Sequence, residues 1–322
     1  MQLKKNLKRV VEQAALSFSP KVPRISEWVL WMWAKVSILL RREPHSLFFK
    51  IANRLNYRVR TITRLGNGMK IKVVWNDLLG LEIFRTGFHD ARNVRILKRL
   101  LSPGMVFFDV GAHVGQYTLL ASQLVGPDGR VHSFEPDPET FSCLTDNIEM
   151  NRLTNVQANQ LALFSEQGEK KFFVSWPQYM GGNSLWSEPG DWPGRVFNVK
   201  CDTVDSYVRQ QAISKISLLK IDVEGGEVDL LLGANTALGL DDKPTILLEF
   251  NGPALVRSGH SCAELAKTLR RYGYQLFQIT DRDLIRLGFL SANGLTFDCL
   301  AVPENKTAVI LQLFSVSATA VG

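Results

Sequence analysis

Four carboxylates in this chain stand directly behind apolar runs: Asp109 after "MVFF", Glu135 after "VHSF", Asp222 after "LLKI" and Glu249 after "TILL". In an α/β fold, ligands bind beyond the carboxyl ends of the strands, so acids at these positions share one rim. Carboxylates there accept hydrogen bonds from hydroxyls, pair with cations, or take a proton from a nucleophile. Between the first two lies the bend "FFDVGAHVGQYTLLAS", Phe107 to Ser122, where Gly111 and Gly115 separate an apolar strand from a helix.

The bend is the wrong shape for phosphate. A dinucleotide site needs G-x-G-x-x-G, and Gly111-Ala112-His113-Val114-Gly115 lacks the middle glycine. A P-loop needs Gly-Lys-Ser/Thr, and here Gln116 and Tyr117 follow Gly115. S-adenosylmethionine makes other demands: its ribose wants a carboxylate, its ammonium and sulfonium favour acids, and it has no phosphate. Glu135, 20 residues beyond Gly115, suits the ribose. Asp109 suits the ammonium, directly or through water, and the two glycines let backbone approach the ligand. On residues alone, a methyltransferase, a nicotinamide or flavin protein, and an unliganded α/β fold stay open.

Four longer pieces narrow the choice. They are the first bend, "VHSFEPDPETFSCLTDNIEMN", "GGNSL" followed by "KCDTVDSYV", and "LLKIDVEGGEVDLLLGA" with "ILLEFN". Together they resemble the FkbM family of S-adenosylmethionine-dependent methyltransferases, from about Arg58 to Val302. The resemblance implies a Rossmann-like class I methyltransferase fold: α/β, with a mostly parallel seven-stranded sheet and helices on both faces. It also implies O-methylation, often of sugar hydroxyls in glycolipids, polysaccharides and natural products. The expected cofactor residues are Asp109, Gly111, Ala112, His113, Gly115, Glu135, Pro136 and Ala162. The family usually carries Asn where this chain has His113; both hydrogen-bond, and a neutral role beside the cofactor is expected.

Methyl transfer to an alcohol needs in-line alignment and a base for the hydroxyl proton. Asp222 is the first candidate, because in related folds that position faces the methyl group; its bland alternative is capping the next helix. Glu224 is second, while Glu227 and Asp229 read as helix surface. A magnesium-assisted version would draw on Asp222, Glu249 and Asn251, all oxygen ligands at strand ends; a metal is not the expectation. The five histidines show no metal spacing. The loop "SWPQYMGGNSLWSEPGDWPG" carries Trp176, Tyr179, Trp186 and Trp192, and reads as a lid over a small-molecule or glycan acceptor. Asn183, Ser184 and Trp186 are its expected substrate contacts. N- or C-methylation and a non-catalytic cofactor-binding scaffold are the competing functions.

The elements that hold these residues follow from periodicity. "YRVRTITRL" and "MKIKVVW" flank Gly66-Asn67-Gly68 and read as a hairpin. "DARNVRILKRLL" reads as a helix capped by Asp90. From Met105 apolar strands alternate with amphipathic helices, one capped by Asp137 and opened by Pro138, another stopped near Gly233. "YQLFQI" and "FDCLAV" read as edge strands. The division is a basic helical segment at 1–57, a catalytic domain at 58–305 with a lead-in at 58–101, and a tail at 306–322.

Charge is unevenly spread: residues 1–100 carry +15 and the remainder −8, for a net +7. The basic residues precede the acidic rim, so nucleic acid is not an expected partner. "ISEWVLWMWAKVSILLRR" has 16 residues from Ile25 to Leu40 and is interrupted by Glu27 and Lys35. As a helix it reaches about 24 Å, short of a bilayer core of about 30 Å. It reads as packing on the body or as a peripheral membrane contact through residues 1–42, with Trp28, Trp31 and Trp33 at the interface and Arg41 and Arg42 against anionic lipid. Cys143, Cys201, Cys262 and Cys299 form no CxxC pair and fit a reducing compartment. The location expected is cytoplasmic, with the inner membrane face as a peripheral site.

Overall fold

The computed structural model describes residues 60–74, 78–174, 183–186, 195–288, 294 and 296–317. The basic segment 1–57 lies outside the described residues, as do Trp176, Tyr179 and Trp192 of the aromatic loop. The elements in chain order are β1 (Arg60–Arg64), β2 (Lys70–Val74), α1 (Leu78–Thr86), α2 (Ala91–Leu100), β3 (Val106–Val110), α3 (Gln116–Val125), β4 (Arg130–Phe134), α4 (Pro138–Met150), β5 (Val156–Asn159), β6 (Ala162–Leu163), β7 (Gly168–Val174) and β8 (Arg195–Asp202). There follow α5 (Val204–Gln210), β9 (Leu218–Ile221), α6 (Glu227–Leu232), α7 (Asn235–Gly239), β10 (Thr245–Asn251), α8 (Gly252–Arg257), α9 (Cys262–Arg271), β11 (Tyr274–Ile279), β12 (Leu284–Arg286), β13 (Thr296–Pro303), α10 (Thr307–Leu313) and β14 (Val316–Ser317).

The central sheet has nine strands in the order β14-β12-β11-β13-β10-β9-β3-β4-β5. β5, β4, β3, β9 and β10 run parallel, and β13 enters antiparallel between β10 and β11. The sheet is therefore larger than the seven strands expected. β11 and β13, expected at an edge, are interior. The supposed tail supplies α10 and β14, and Phe314 is buried against the sheet. A two-residue strand at the edge is hard to read from sequence because its partner, β12, supplies the pairing. The run "NVQANQLAL" splits: β5 joins the main sheet and β6 joins a second sheet of order β6-β8-β7.

Both faces of the main sheet are covered, as apolar parallel strands require. Strand alternation divides the core: Phe108, Leu219 and Leu248 pack beneath α5, α6 and α9, while Phe107, Leu218 and Leu247 pack beneath α2, α3 and α10. The four cysteines are buried and free. Several local expectations hold. β1 and β2 pair as an antiparallel hairpin. Asp90 and Asp137 cap α2 and α4 through their side chains. Strand order reverses between β3 and β9, since the chain builds outward from β3 on one side and from β9 on the other. This switch point is where an open α/β sheet leaves a crevice.

Candidate active site

The bend after β3 closes one side of the crevice. The N–H groups of Gly111 and Ala112 donate to the Phe134 carbonyl at 3.1 and 3.0 Å, tying the bend to the end of β4. Gly111 has φ 74°, and a Cβ there would lie 1.8 Å from the Asp222 carbonyl oxygen. Gly115 has φ 91°, and a Cβ there would lie 2.5 Å from Leu144 Cδ1. Neighbouring protein thus requires both glycines, and Gly111 also lines the crevice. His113 sits at φ 52°. Asn and His are among the few side chains enriched in that conformation, which accounts for His where the family usually has Asn.

Glu135 is buried and receives two backbone donors, His113 N at 3.0 Å and Asp137 N at 2.9 Å. No cation is paired with it among the described residues. Burial pushes its carboxyl up to about 8, with Asp137 and Asp109 adding to the rise and the two backbone donors opposing it. Glu135, Pro136, Leu161 and Ala162 line a small cavity of about 90 Å³ with Gly111, His113 and Asn183. A larger cavity of about 580 Å³ adjoins it, sharing Leu79, Gly111, His113, Asp222 and Glu224, and adds Ala112, Gln116 and Tyr117.

The expected cofactor residues divide. Gly111, Ala112, His113, Glu135, Pro136 and Ala162 line the cavities. Gly115 and Asp109 do not. Asp109 is fully buried, accepts from Thr118 Oγ1 at 2.7 Å and lies 3.7 Å from Lys220 Nζ. Its expected direct contact with a ligand ammonium is therefore corrected, because Lys220 already faces it. Burial raises the Asp109 carboxyl, against the opposing pull of Lys220.

Lys220 is the residue that sequence reasoning missed. It is buried in β9 opposite Asp109, its Nζ lies 3.2 Å from Asp222 Oδ2, and it lines the larger cavity. Burial disfavours its ammonium, but Asp222 and Asp109 more than offset that and raise it overall. The signal was available: a lone charge inside the apolar run "LLKI".

Asp222 follows β9 at the switch and its side chain is 44% exposed toward the cavities. Glu224 stands at φ 53°, and its carboxyl is pushed up to about 9 by burial, then by Asp222 and Glu249. Glu249 is pushed up to about 8 by burial, then by Asp222 and Asp298. Asp222, Glu224 and Glu249 bring one oxygen each within 4.8 Å of one another. Asn251 does not complete an oxygen set. Its Oδ1 accepts from Ala254 N to cap α8, and its Nδ2 donates to Glu224 and Glu249 at 3.2 and 3.3 Å. That corrects its expected place as a metal ligand. Glu227, read as helix surface, is 1% exposed and accepts from Gly225 N at 3.1 Å. Asp229 instead pairs with His260 at 3.2 Å.

The expected substrate contacts also divide. Asn183 lines the small cavity. Ser184 is 2% exposed and its hydroxyl donates to the Glu224 carbonyl at 2.8 Å. Trp186 packs against Phe164 in the core of the second sheet. Neither Ser184 nor Trp186 lines these two cavities; among the described residues Ser184 braces the Glu224 carbonyl and Trp186 packs in the second sheet.

The doubly wound sheet with its crevice at the strand switch is a Rossmann-like fold. The family described as the methyltransferase FkbM domain matches residues 109–276, and the chain belongs to it. Methyltransferase 1 of Beauveria bassiana is 28% identical over 158 residues, covering 44% of this chain and 60% of that protein. The hexuronic acid methyltransferase AglP of Haloferax volcanii is 29% identical over 145 residues, covering 45% and 56%. The 31-O-demethyl-FK506 methyltransferase FkbM of Streptomyces tacrolimicus is 29% identical over 163 residues, covering 42% and 62%. The chain thus spans less than two thirds of each of these relatives. A solved structure of methyltransferase FkbM from Methylobacillus flagellatus aligns with TM-score 0.40 and 16% identity, covering 67% of this chain and 46% of that one.

Proposed function

We propose that the chain is an S-adenosylmethionine-dependent O-methyltransferase whose acceptor is a hydroxyl of a sugar, glycolipid or related small molecule. The observation that carries this is the pair of adjoining cavities that meet at Gly111 and Asp222, with a buried carboxylate at Glu135, unpaired with any cation among the described residues, in one and a carboxylate rim in the other. The fit to the cofactor is chemical. Glu135 keeps acceptor capacity beyond its two backbone donors, which suits a ribose diol. Pro136, Leu161 and Ala162 offer an apolar wall for a purine, and the acids suit a cation. Two relatives support the acceptor class by their names, one a hexuronic acid methyltransferase and one acting on a demethylated FK506.

When bound, the cofactor supplies an electrophilic methyl group on a sulfonium. The chain aligns the acceptor oxygen and takes its proton. Asp222 is the base, open to the larger cavity and held by Lys220 at 3.2 Å. Such a base contributes roughly 10²–10⁴-fold. Glu224, protonated below about 9, serves as a hydrogen-bond donor rather than a base. Mass spectrometry of cellular glycans and lipids with and without the gene tests this reading. Loss of one methyl group from a hydroxyl-bearing species supports it; a methyl lost only from nitrogen or carbon counts against it.

A further inference from the structure

α10 meets water without a charge on it. Its residues, Thr307–Leu313, read "TAVILQL", and Ile310 is the buried one among them. Val309 is 56% exposed, Leu311 50% and Leu313 40%. The described residues hold eight exposed large apolar side chains, and three of them stand on this short helix. Apolar residues scattered singly over a surface need no explanation, but a helix that is apolar all round is built to be covered.

The neighbouring helix supplies a second, independent observation. α2 and α10 pack on the same face of the sheet, through Val94, Ile96 and Leu97 in the first and Ile310 and Phe314 at the second. Arg99 joins them. Its Nη1 donates to the Leu313 carbonyl at 2.8 Å, and its guanidinium lies over the Phe314 ring at 5.0 Å. α2 carries Arg92, Arg95, Lys98 and Arg99 and no acid. Arg95 and Arg99 donate to the backbone carbonyls of Thr280, Arg282 and Leu313, and exposed Lys98 stands over the Phe88 ring. Among the described residues only Arg92 of the four pairs with a carboxylate. The apolar helix therefore lies beside cations that the protein leaves uncompensated.

That pairing selects the cover. A nucleic acid would meet the cations and leave Val309, Leu311 and Leu313 in water. A second copy docking through the same face would set Lys98 and Arg99 against their own counterparts. An anionic bilayer satisfies both features: the apolar side chains enter the boundary between headgroups and acyl chains, and the cations meet lipid phosphates. Among the described residues no helix is long and apolar enough to cross a membrane, so the contact is a surface one.

We propose that the outer face of α10, together with Lys98 and Arg99 at the end of α2, docks the protein onto an anionic lipid bilayer. α2 begins at the crevice, where Asp90, Ala91, Arg92 and Asn93 line the larger cavity. Arg99 lies about 10 Å along the helix from Arg92, so docking brings the cavity mouth close to the headgroups. The docking does not rest on the methyl-transfer reading above.

Flotation of the full chain with lipid vesicles tests it. The probes are phosphatidylcholine alone and phosphatidylcholine with about one third phosphatidylglycerol. Binding to the anionic vesicles is expected to be at least about tenfold tighter. Leu311→Glu and Val309→Glu should each weaken it at least about fivefold, and Lys98→Gln about fivefold, since a basic residue near such a surface contributes about 1 kcal/mol. The three side chains are exposed, so urea midpoints should match the wild type; Lys98→Gln keeps the test decisive if a glutamate variant unfolds. Equal binding to the two vesicles, binding to neither, or anionic binding unchanged in the folded variants overturns the proposal. The last result would assign attachment to another part of the chain, such as residues 1–57. If the wild type self-associates without lipid and Leu311→Glu is monomeric by sedimentation, the face joins two copies and the proposal falls. Titration with 5′-methylthioadenosine reads the crevice separately. If the wild type does not bind it, the methyl-transfer reading fails while the vesicle result still decides the docking.

Discussion

Glu135 makes cofactor affinity depend on pH in a direction that can be worked out. Its carboxyl is raised to about 8 in the free protein, chiefly by burial. A ribose diol donates hydrogen bonds, so it binds the carboxylate and selects against the protonated acid. At pH 9 about nine tenths of the molecules carry the carboxylate; at pH 6.5 only about 3% do, so affinity should fall about 30-fold across that range. The assay is calorimetric titration with 5′-methylthioadenosine, which keeps adenine and ribose but lacks the amino-acid tail that would face the other acids. Glu135→Gln should bind with little pH dependence. At pH 9 it should also bind about 10- to 150-fold more weakly than wild type, the equivalent of about 1.5–3 kcal/mol for bonds to a charged acceptor. A wild-type dissociation constant that stays flat from pH 6.5 to 9, or the same slope in Glu135→Gln, would refute the reasoning.

Three further substitutions follow. Gly111→Ala forces a Cβ onto the Asp222 carbonyl at a left-handed φ, and should cost more than about 2 kcal/mol by urea denaturation. Lys220→Met leaves buried Asp109 without its cation and should cost about 3–5 kcal/mol at neutral pH. Lowering the pH to protonate Asp109 should narrow that deficit, because burial already raises this carboxyl. Ser184→Ala removes the hydrogen bond to the Glu224 carbonyl, worth about 1 kcal/mol. Urea denaturation should show that loss of stability, and the dissociation constant for S-adenosylhomocysteine should stay unchanged.

Much of the frame was legible because the central strands carry their own apolar runs and several helices their own caps. Asp90, Asp137 and Pro138 mark helix starts without tertiary information. The positions of Glu135 and Asp222 followed from strand ends alone. What was not legible depends on pairings between distant segments. Asp298 joins Asp222 and Glu249 only because β13 inserts antiparallel beside β10. Ser184 reads as a substrate contact until the excursion folds back and its hydroxyl meets Glu224. The glycines of the first bend read as room for a ligand; that the loop after β9 and α4 also crowd them depends on tertiary packing. Asn251 has an oxygen in sequence, but the start of α8 takes it.

The central claim is that this crevice moves a methyl group onto oxygen with Asp222 as the base. The most direct test supplies methyl-labelled S-adenosylmethionine and hydroxyl acceptors to wild type and to Asp222→Asn, and follows label in product by mass spectrometry. The account predicts an O-methyl product with one S-adenosylhomocysteine released per methyl transferred, and a rate at least about 100-fold lower in Asp222→Asn. Label that never leaves the bound cofactor in wild type, or equal rates in the two proteins, would contradict it.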